Sequence, residues 1–119
     1  MNEHATDHQR AVEDAQRRGH MAALSVAEQI VSTSPLPPTD VRTSCPTFAA
    51  GEPSVDVYFH QCAAGVEMLA KELGGTAITR PHSELDPRPY VSAQLAVSGI
   101  PVRAWSLLGN RDDAAGEAR

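Results

Sequence analysis

The chain is short of large rings. Among 119 residues only Phe48, Tyr58, Phe59, Tyr90 and Trp105 are Phe, Tyr or Trp, so a core must be built mainly from Val, Leu, Ile and Ala. Lysine is almost missing: Lys71 is the only one among ten basic residues, and the formal net charge is −5. No basic stripe exists, which argues against a nucleic-acid partner, because phosphate binding needs clustered Lys and Arg. The excess of Arg over Lys, with abundant Ala and Pro, reads as codon bias from a GC-rich genome. Cysteine is scarce too. Cys45 and Cys62 cannot make a disulfide framework, and we expect free thiols in a reducing, cytoplasmic setting. No apolar stretch approaches the ~20 residues of a membrane span, and the polar start MNEHATDHQR lacks the apolar run of a signal peptide.

The composition that remains, 41% apolar and 21% charged, is ordinary for one globular domain. Four segments are expected: an N-terminal helix over 1–33, a Pro-rich linker over 34–40, an α+β core over 41–109, and a disordered charged tail over 110–119. The helix is predicted from Asp7 to Ser32. Thr6 and Gln9 have the spacing of a capping box. Ala23, Val26, Ala27 and Ile30 form an i, i+3, i+4, i+7 stripe that Leu24 and Val31 widen. Gly19 sits mid-helix at a cost of roughly 1 kcal/mol against Ala. An unbroken helix of this length would overhang its own domain, so it breaks at Gly19 or its free end lies against another chain.

Pro35, Pro37 and Pro38 forbid helix and hold the linker extended. Val41 to Phe48 is expected as an edge strand with Pro46 in it. Ser54 to His60 alternates Val55, Val57 and Phe59 with Asp56, Tyr58 and His60, the period of a half-buried strand. Val66, Leu69, Ala70 and Leu73 mark a second helix that Gly74–Gly75 stops. Thr76 to Arg80 is a short strand, HSELDPRP a loop, and Tyr90 to Leu108 a hairpin turning on Ser98–Gly99. The expected fold is therefore α+β in the order α-β-β-α-β-β-β. Its sheet is mostly antiparallel, with four to five strands and a helix on one face.

The hairpin register carries the functional expectation. A turn on Ser98–Gly99 pairs Val97 with Ile100, Leu95 with Val102 and Ala93 with Ala104 on one apolar face. The other face then carries Tyr90 with Leu107, Ser92 with Trp105, and Gln94 with Arg103, and Tyr58 joins them from its own strand. A one-residue slip would exchange the faces. Two covers are open for this second face: the docking half of the N-terminal helix, or another chain. Aromatics and Arg are the types enriched at interface hot spots. Tyr58, Tyr90, Gln94, Arg103, Trp105 and Leu107 are the candidate interface.

Candidate chemistry is sparser. Cys62 opens a helix, where a thiol can become nucleophilic, and His60 and His82 are the nearest imidazoles in sequence. A phosphatase-type loop would place Arg six residues after the cysteine, where Met68 stands. His4 and His8 have chelating spacing with Asp7 nearby, but zinc wants three or four ligands with an ordered second shell and this segment is expected to fray. Cys45, His60, Cys62 and His82 fit no finger spacing. Glu84, Asp86 and Arg88 read as a turn held by Pro87 and Pro89, though the loop is long enough to border a ligand. No metal and no cofactor are expected, and no catalytic residue is assigned. The leading expectation is a small non-enzymatic interaction or regulatory protein, a homo-oligomer or partner binder, working through the sheet face, the long helix, or both. The first alternative is an enzymatic or ligand-binding domain between loop 82–89 and the His60/Cys62 turn. The second is a nucleic-acid accessory.

Overall fold

In the computed structural model, which describes residues 3–109, the last hairpin turns on Ser98 and Gly99. Their φ angles are 53° and 77°, the two left-handed residues of a type I′ turn, whose twist suits a two-residue hairpin. That turn joins β4 (Pro89–Val97) to β5 (Ile100–Leu107). It sets the expected register: Val97 opposite Ile100, Leu95 opposite Val102, Ala93 opposite Ala104. The remaining elements are α1 (Glu3–Thr33), β1 (Asp40–Ser44), a 3₁₀ turn at Thr47–Ala49, β2 (Ser54–Tyr58), α2 (Ala63–Glu72) and β3 (Ile78–Pro81). The order is α-β-β-α-β-β-β, an α+β fold. The tail expected over 110–119 lies outside the described residues.

The five strands form one mixed sheet in the order β1-β2-β5-β4-β3. Only the β2–β5 pairing is parallel; β1–β2, β5–β4 and β4–β3 are antiparallel. A parallel neighbour demands a crossover connection, and α2 supplies it between β2 and β3. The hairpin β4–β5 fills the space between those two strands. The helix stops as its glycines foretell: Gly74 has a φ of 79°. Gly75 N–H donates to the Ala70 carbonyl and Gly74 N–H to that of Lys71, a Schellman closure.

One face of the sheet holds the core. Val55, Val57, Val91, Ala93, Leu95, Val97, Ile100, Val102 and Ala104 are buried there. They meet Val66, Leu69 and Ala70 of α2, and Ala23, Val26, Ala27 and Ile30 of α1. Both helices therefore cover the same face: α2 lies over β4 and β5, and α1 over β1 and β2. The N-terminal helix does not cover the aromatic face. It forms part of the core that the strands build.

Two further expectations for α1 need correction, and the alternative at Gly19 is decided. The helix begins at Glu3, so Thr6 lies inside it and caps nothing; Glu3 and Ala5 are good helix formers that let it propagate outward. Leu24 and Val31 are exposed, because α1 docks on a narrow edge of the sheet and uses only its i, i+3, i+4 seam. The helix also runs unbroken through Gly19. A side chain there would bring its Cβ to 2.3 Å from the Cys45 sulfur and 3.0 Å from the Ala50 carbonyl oxygen. Glycine is thus the close-approach point where α1 rides over the β1–β2 connection. Nearby, Gln16 Nε2 donates to the Cys45 carbonyl and the Cys45 thiol donates to the Ala50 carbonyl. With 31 residues, α1 is about 46 Å long, and none of residues 5–18 is buried.

Gly19→Ala should therefore destabilise the fold by about 1–2 kcal/mol, overpacking outweighing the gain in helix propensity. Adding Cys45→Ala should recover at least half of that loss. Urea unfolding of the three proteins measures it, and a Gly19→Ala protein as stable as the parent would refute the close-approach reading.

Candidate functional site

Strand alternation puts Asp56 and Tyr58 of β2, Arg103, Trp105 and Leu107 of β5, and Tyr90, Ser92 and Gln94 of β4 on the face away from both helices. Cross-strand pairing aligns them in rows. Asp40, Tyr58, Trp105, Ser92 and Ile78 stand side by side from β1 to β3. Arg42, Asp56, Arg103 and Gln94 form the next row. Leu107, Tyr90 and Arg80 form a third. All six residues of the candidate interface share this open face.

The rings touch in sequence. His60 lies 6.1 Å from Tyr58, Tyr58 4.6 Å from Trp105, Trp105 5.9 Å from Tyr90, and Tyr90 5.6 Å from His82, centroid to centroid. Such distances are those of interacting aromatic pairs. Tyr58, Trp105 and Tyr90 are each only half-buried.

Asp56 fixes the centre of the row. One carboxylate oxygen accepts from Arg103 Nε at 2.7 Å and the other from Trp105 Nε1 at 2.8 Å. The Arg103 guanidinium also lies 5.4 Å from the Trp105 ring, over its face, a cation–π contact. The indole is thus held in place by a hydrogen bond at one end and stacking on its surfaces. The ends are pinned as well. The Tyr58 hydroxyl pairs with His60 Nδ1 at 2.8 Å, and His82 Nδ1 pairs with Asp86 at 3.0 Å.

Asp86 organises the loop beyond β3. It accepts from Arg88 Nε and Nη2, from the Arg88 backbone N–H and from His82. The Arg88 side-chain hydrogen bond, then that from His82, holds its carboxyl far below the usual carboxylate range. The loop closes on itself through His82 N–H to the Arg88 carbonyl and Ser83 N–H to the Asp86 carbonyl. At its tip Leu85 is 98% exposed.

Two shallow depressions flank Trp105. One, of about 330 Å³, is lined by Asp40, Arg42, Asp56, Tyr58, Arg103 and Trp105. The other, of about 160 Å³, is lined by His82, Tyr90, Arg103 and Trp105.

The residues of the enzymatic alternative are not gathered. His60 and His82 stand at opposite ends of the ring row. Cys62 precedes α2, and its backbone N–H donates to the buried Ser106 hydroxyl on the core side. No hydrogen bond joins the Cys62 thiol to either imidazole among the described residues. Both cysteines are free thiols. Among the described residues no group of three or more His, Cys, Asp or Glu is placed to hold a metal, and no helix is long and apolar enough to cross a membrane. Asp56 is held by Arg103 and the Trp105 indole, and Asp86 by Arg88 and His82, which suits anchoring better than proton transfer.

Asp56, Arg80 and Leu85 were absent from the expected surface. Leu85 and Arg80 carried a usable signal, a lone apolar residue in a polar loop and an outward position on a short strand. Alternation put Asp56 on the outward side as well, but no local pattern told of its partners, which lie 47 and 49 residues away.

The fold and this face define a two-layer α+β protein with a bare aromatic sheet surface. Compared with known proteins, the chain matches no family model, no curated protein and no solved structure.

Two outcomes follow from this geometry. Asp56→Ala should red-shift the emission of Trp105, the only tryptophan. It should cost about 1 kcal/mol, a charged hydrogen-bond pair discounted for its exposure; unchanged emission would deny the anchoring. The second concerns Asp86. A carboxyl with a lowered folded pKa contributes stability above its unfolded value, lost as pH falls through the folded one. By carboxyl NMR, Asp86 should therefore stay ionised at about pH 3, below the ordinary Asp value of ~3.9, and titration at the ordinary value would contradict its fixation by Arg88.

Proposed function

We propose that this protein is a non-enzymatic interaction protein that self-associates through the open face of its sheet. The observation that supports it best is the placement of α1. Both helices pack on one face, so neither helix covers Tyr58, Trp105 and Tyr90. Half-buried rings on a flat, pre-organised surface are good contact material, because they offer large area for little lost side-chain freedom.

Charge favours a like partner over a nucleic acid. Arg42, Arg103 and Arg88 are each bridged to an aspartate, Asp40, Asp56 and Asp86. With Arg80 the face is close to neutral while the chain carries −5. Two such faces meet without strong repulsion, whereas a phosphate backbone would find few free cations.

Sedimentation velocity on the full chain tests this. Weight-average mass should rise with concentration toward that of a dimer, with Trp105 emission shifting to the blue in parallel. Tyr90→Glu, which buries a charge in the contact, should keep the protein monomeric. A strict monomer at about 500 µM, where even a weak complex of ~100 µM dissociation constant would be mostly formed, would end the proposal.

A further inference from the structure

We infer that the larger depression beside Trp105, of about 330 Å³, binds a neutral hydroxylated ring, one sugar unit of a saccharide or glycoside. This goes beyond self-association and does not require it. Three observations carry it.

The first is how the depression is built. Its six lining residues are a block of the sheet's own register. Asp40 of β1, Tyr58 of β2 and Trp105 of β5 stand in one row, and Arg42, Asp56 and Arg103 of the same strands stand in the next. The block is pinned internally. Asp56 accepts from Arg103 Nε and Trp105 Nε1, the Tyr58 hydroxyl pairs with His60 Nδ1, and Arg42 Nε donates to Asp40 at 2.8 Å. Groups held in this way lose little freedom when a ligand arrives. The volume stands at the low end of small-molecule clefts, about 300–1,000 Å³. It has room for a single pyranose ring with its substituents.

The second is the aromatic wall. Trp105 stands 4.6 Å from Tyr58 on the β5 side. On the β1 side the neighbour of Tyr58 in the same row is Asp40, which is too short to cover a phenol ring. Tyr58 thus ends the ring stack on that side, and it lines the depression. The C–H groups on one side of a sugar ring carry slight positive charge and suit the negative π surface of such a wall.

The third is the set of unspent hydrogen-bonding groups. Among the described residues Asp40 accepts only through Oδ2, and Arg42 donates only through Nε. The other Asp40 oxygen and both Arg42 Nη atoms are left, acceptor and donors close together on the edge strand β1. Arg103 gives Nε and Nη2 to Asp56, which leaves its Nη1. A hydroxyl both donates and accepts, so adjacent hydroxyls of a sugar meet the carboxylate and the guanidinium together.

Charge selects among ligands. The lining holds two arginines and two aspartates, and their charges cancel. An anion drawn by Arg42 and Arg103 meets Asp40 and Asp56 in the same space, and a cation meets the reverse. A neutral ligand uses both signs without repulsion. A nucleotide could lay its base beside Tyr58, but its phosphate would find no surplus of cations.

Amide NMR on the full chain tests this, with the methyl glycosides of glucose, galactose and mannose as probes. At about 20 mM, well above a ~1 mM dissociation constant, at least one should shift the backbone signals of Arg42, Asp56, Tyr58 and Trp105 in a saturable way. The Arg42 side chain is 80% exposed, so Arg42→Ala leaves the fold intact, and it should weaken binding at least about fivefold. Tyr58→Ala should weaken it as much, whereas Tyr58→Phe, which keeps the ring, should stay within about twofold of the parent. Tyr90 lines the smaller depression and not this one, so the Tyr90→Glu protein, expected to be monomeric, should bind the glycoside as the parent does. If none of the three glycosides shifts these signals, the inference is overturned and the self-association reading stands. It is overturned as well if guanosine monophosphate or inorganic phosphate shifts them where the glycosides do not, or if Arg42→Ala and Tyr58→Ala bind undiminished. A parent chain that stays monomeric removes the self-association reading and leaves this one.

Discussion

The parallel pairing of β2 with β5 is the contact on which the rest of the structure depends. It joins two halves of the chain that are adjacent nowhere in sequence. Val55 meets Val102 and Val57 meets Ala104 on the core face. Asp56 meets Arg103 and Tyr58 meets Trp105 on the other. Backbone bonding continues past the strand, where Phe59 N–H donates to the Trp105 carbonyl. One ladder thus aligns the core and the aromatic row together, since alternation leaves no way to shift one face without the other.

The crossover that this pairing requires explains the one-sided packing. α2 has to pass from β2 to β3 over the hairpin between them, and only the face bearing Ala93, Leu95, Val102 and Ala104 offers an apolar seat. α1 takes the remaining apolar strip over β1 and β2, through Ala23, Val26, Ala27 and Ile30. With every long apolar stripe spent on one face, none remains for the other. The open aromatic surface is thus a consequence of how few apolar faces the helices have, and of the narrow seam by which α1 docks.

Much of the fold was legible because its signals are local. The Ser98–Gly99 turn, the alternation of Val55, Val57 and Phe59, the stripe of Val66, Leu69 and Ala70, and the stop at Gly74 each report on a few neighbouring residues. The interface candidates were legible for the same reason: once the hairpin register is known, Tyr90, Gln94, Arg103, Trp105 and Leu107 must share a face. Gly19 shows where local reading fails. Its helix propensity suggests a break, yet its partner in space, Cys45, stands 26 positions on, and that close approach decides the residue. Leu24 and Val31 failed likewise, because periodicity gives the direction of a helix's apolar side and not its width.

By itself the sequence determined the order of elements, the hairpin register and the division of side chains between two faces, since turn geometry and strand alternation act over short distances. Only the tertiary structure decided which face the N-terminal helix would take, that β5 sits at the centre of the sheet, and that Asp56 would clasp Arg103 and Trp105. Those are choices among long-range partners, and they rest on competition for one apolar surface that no local pattern records.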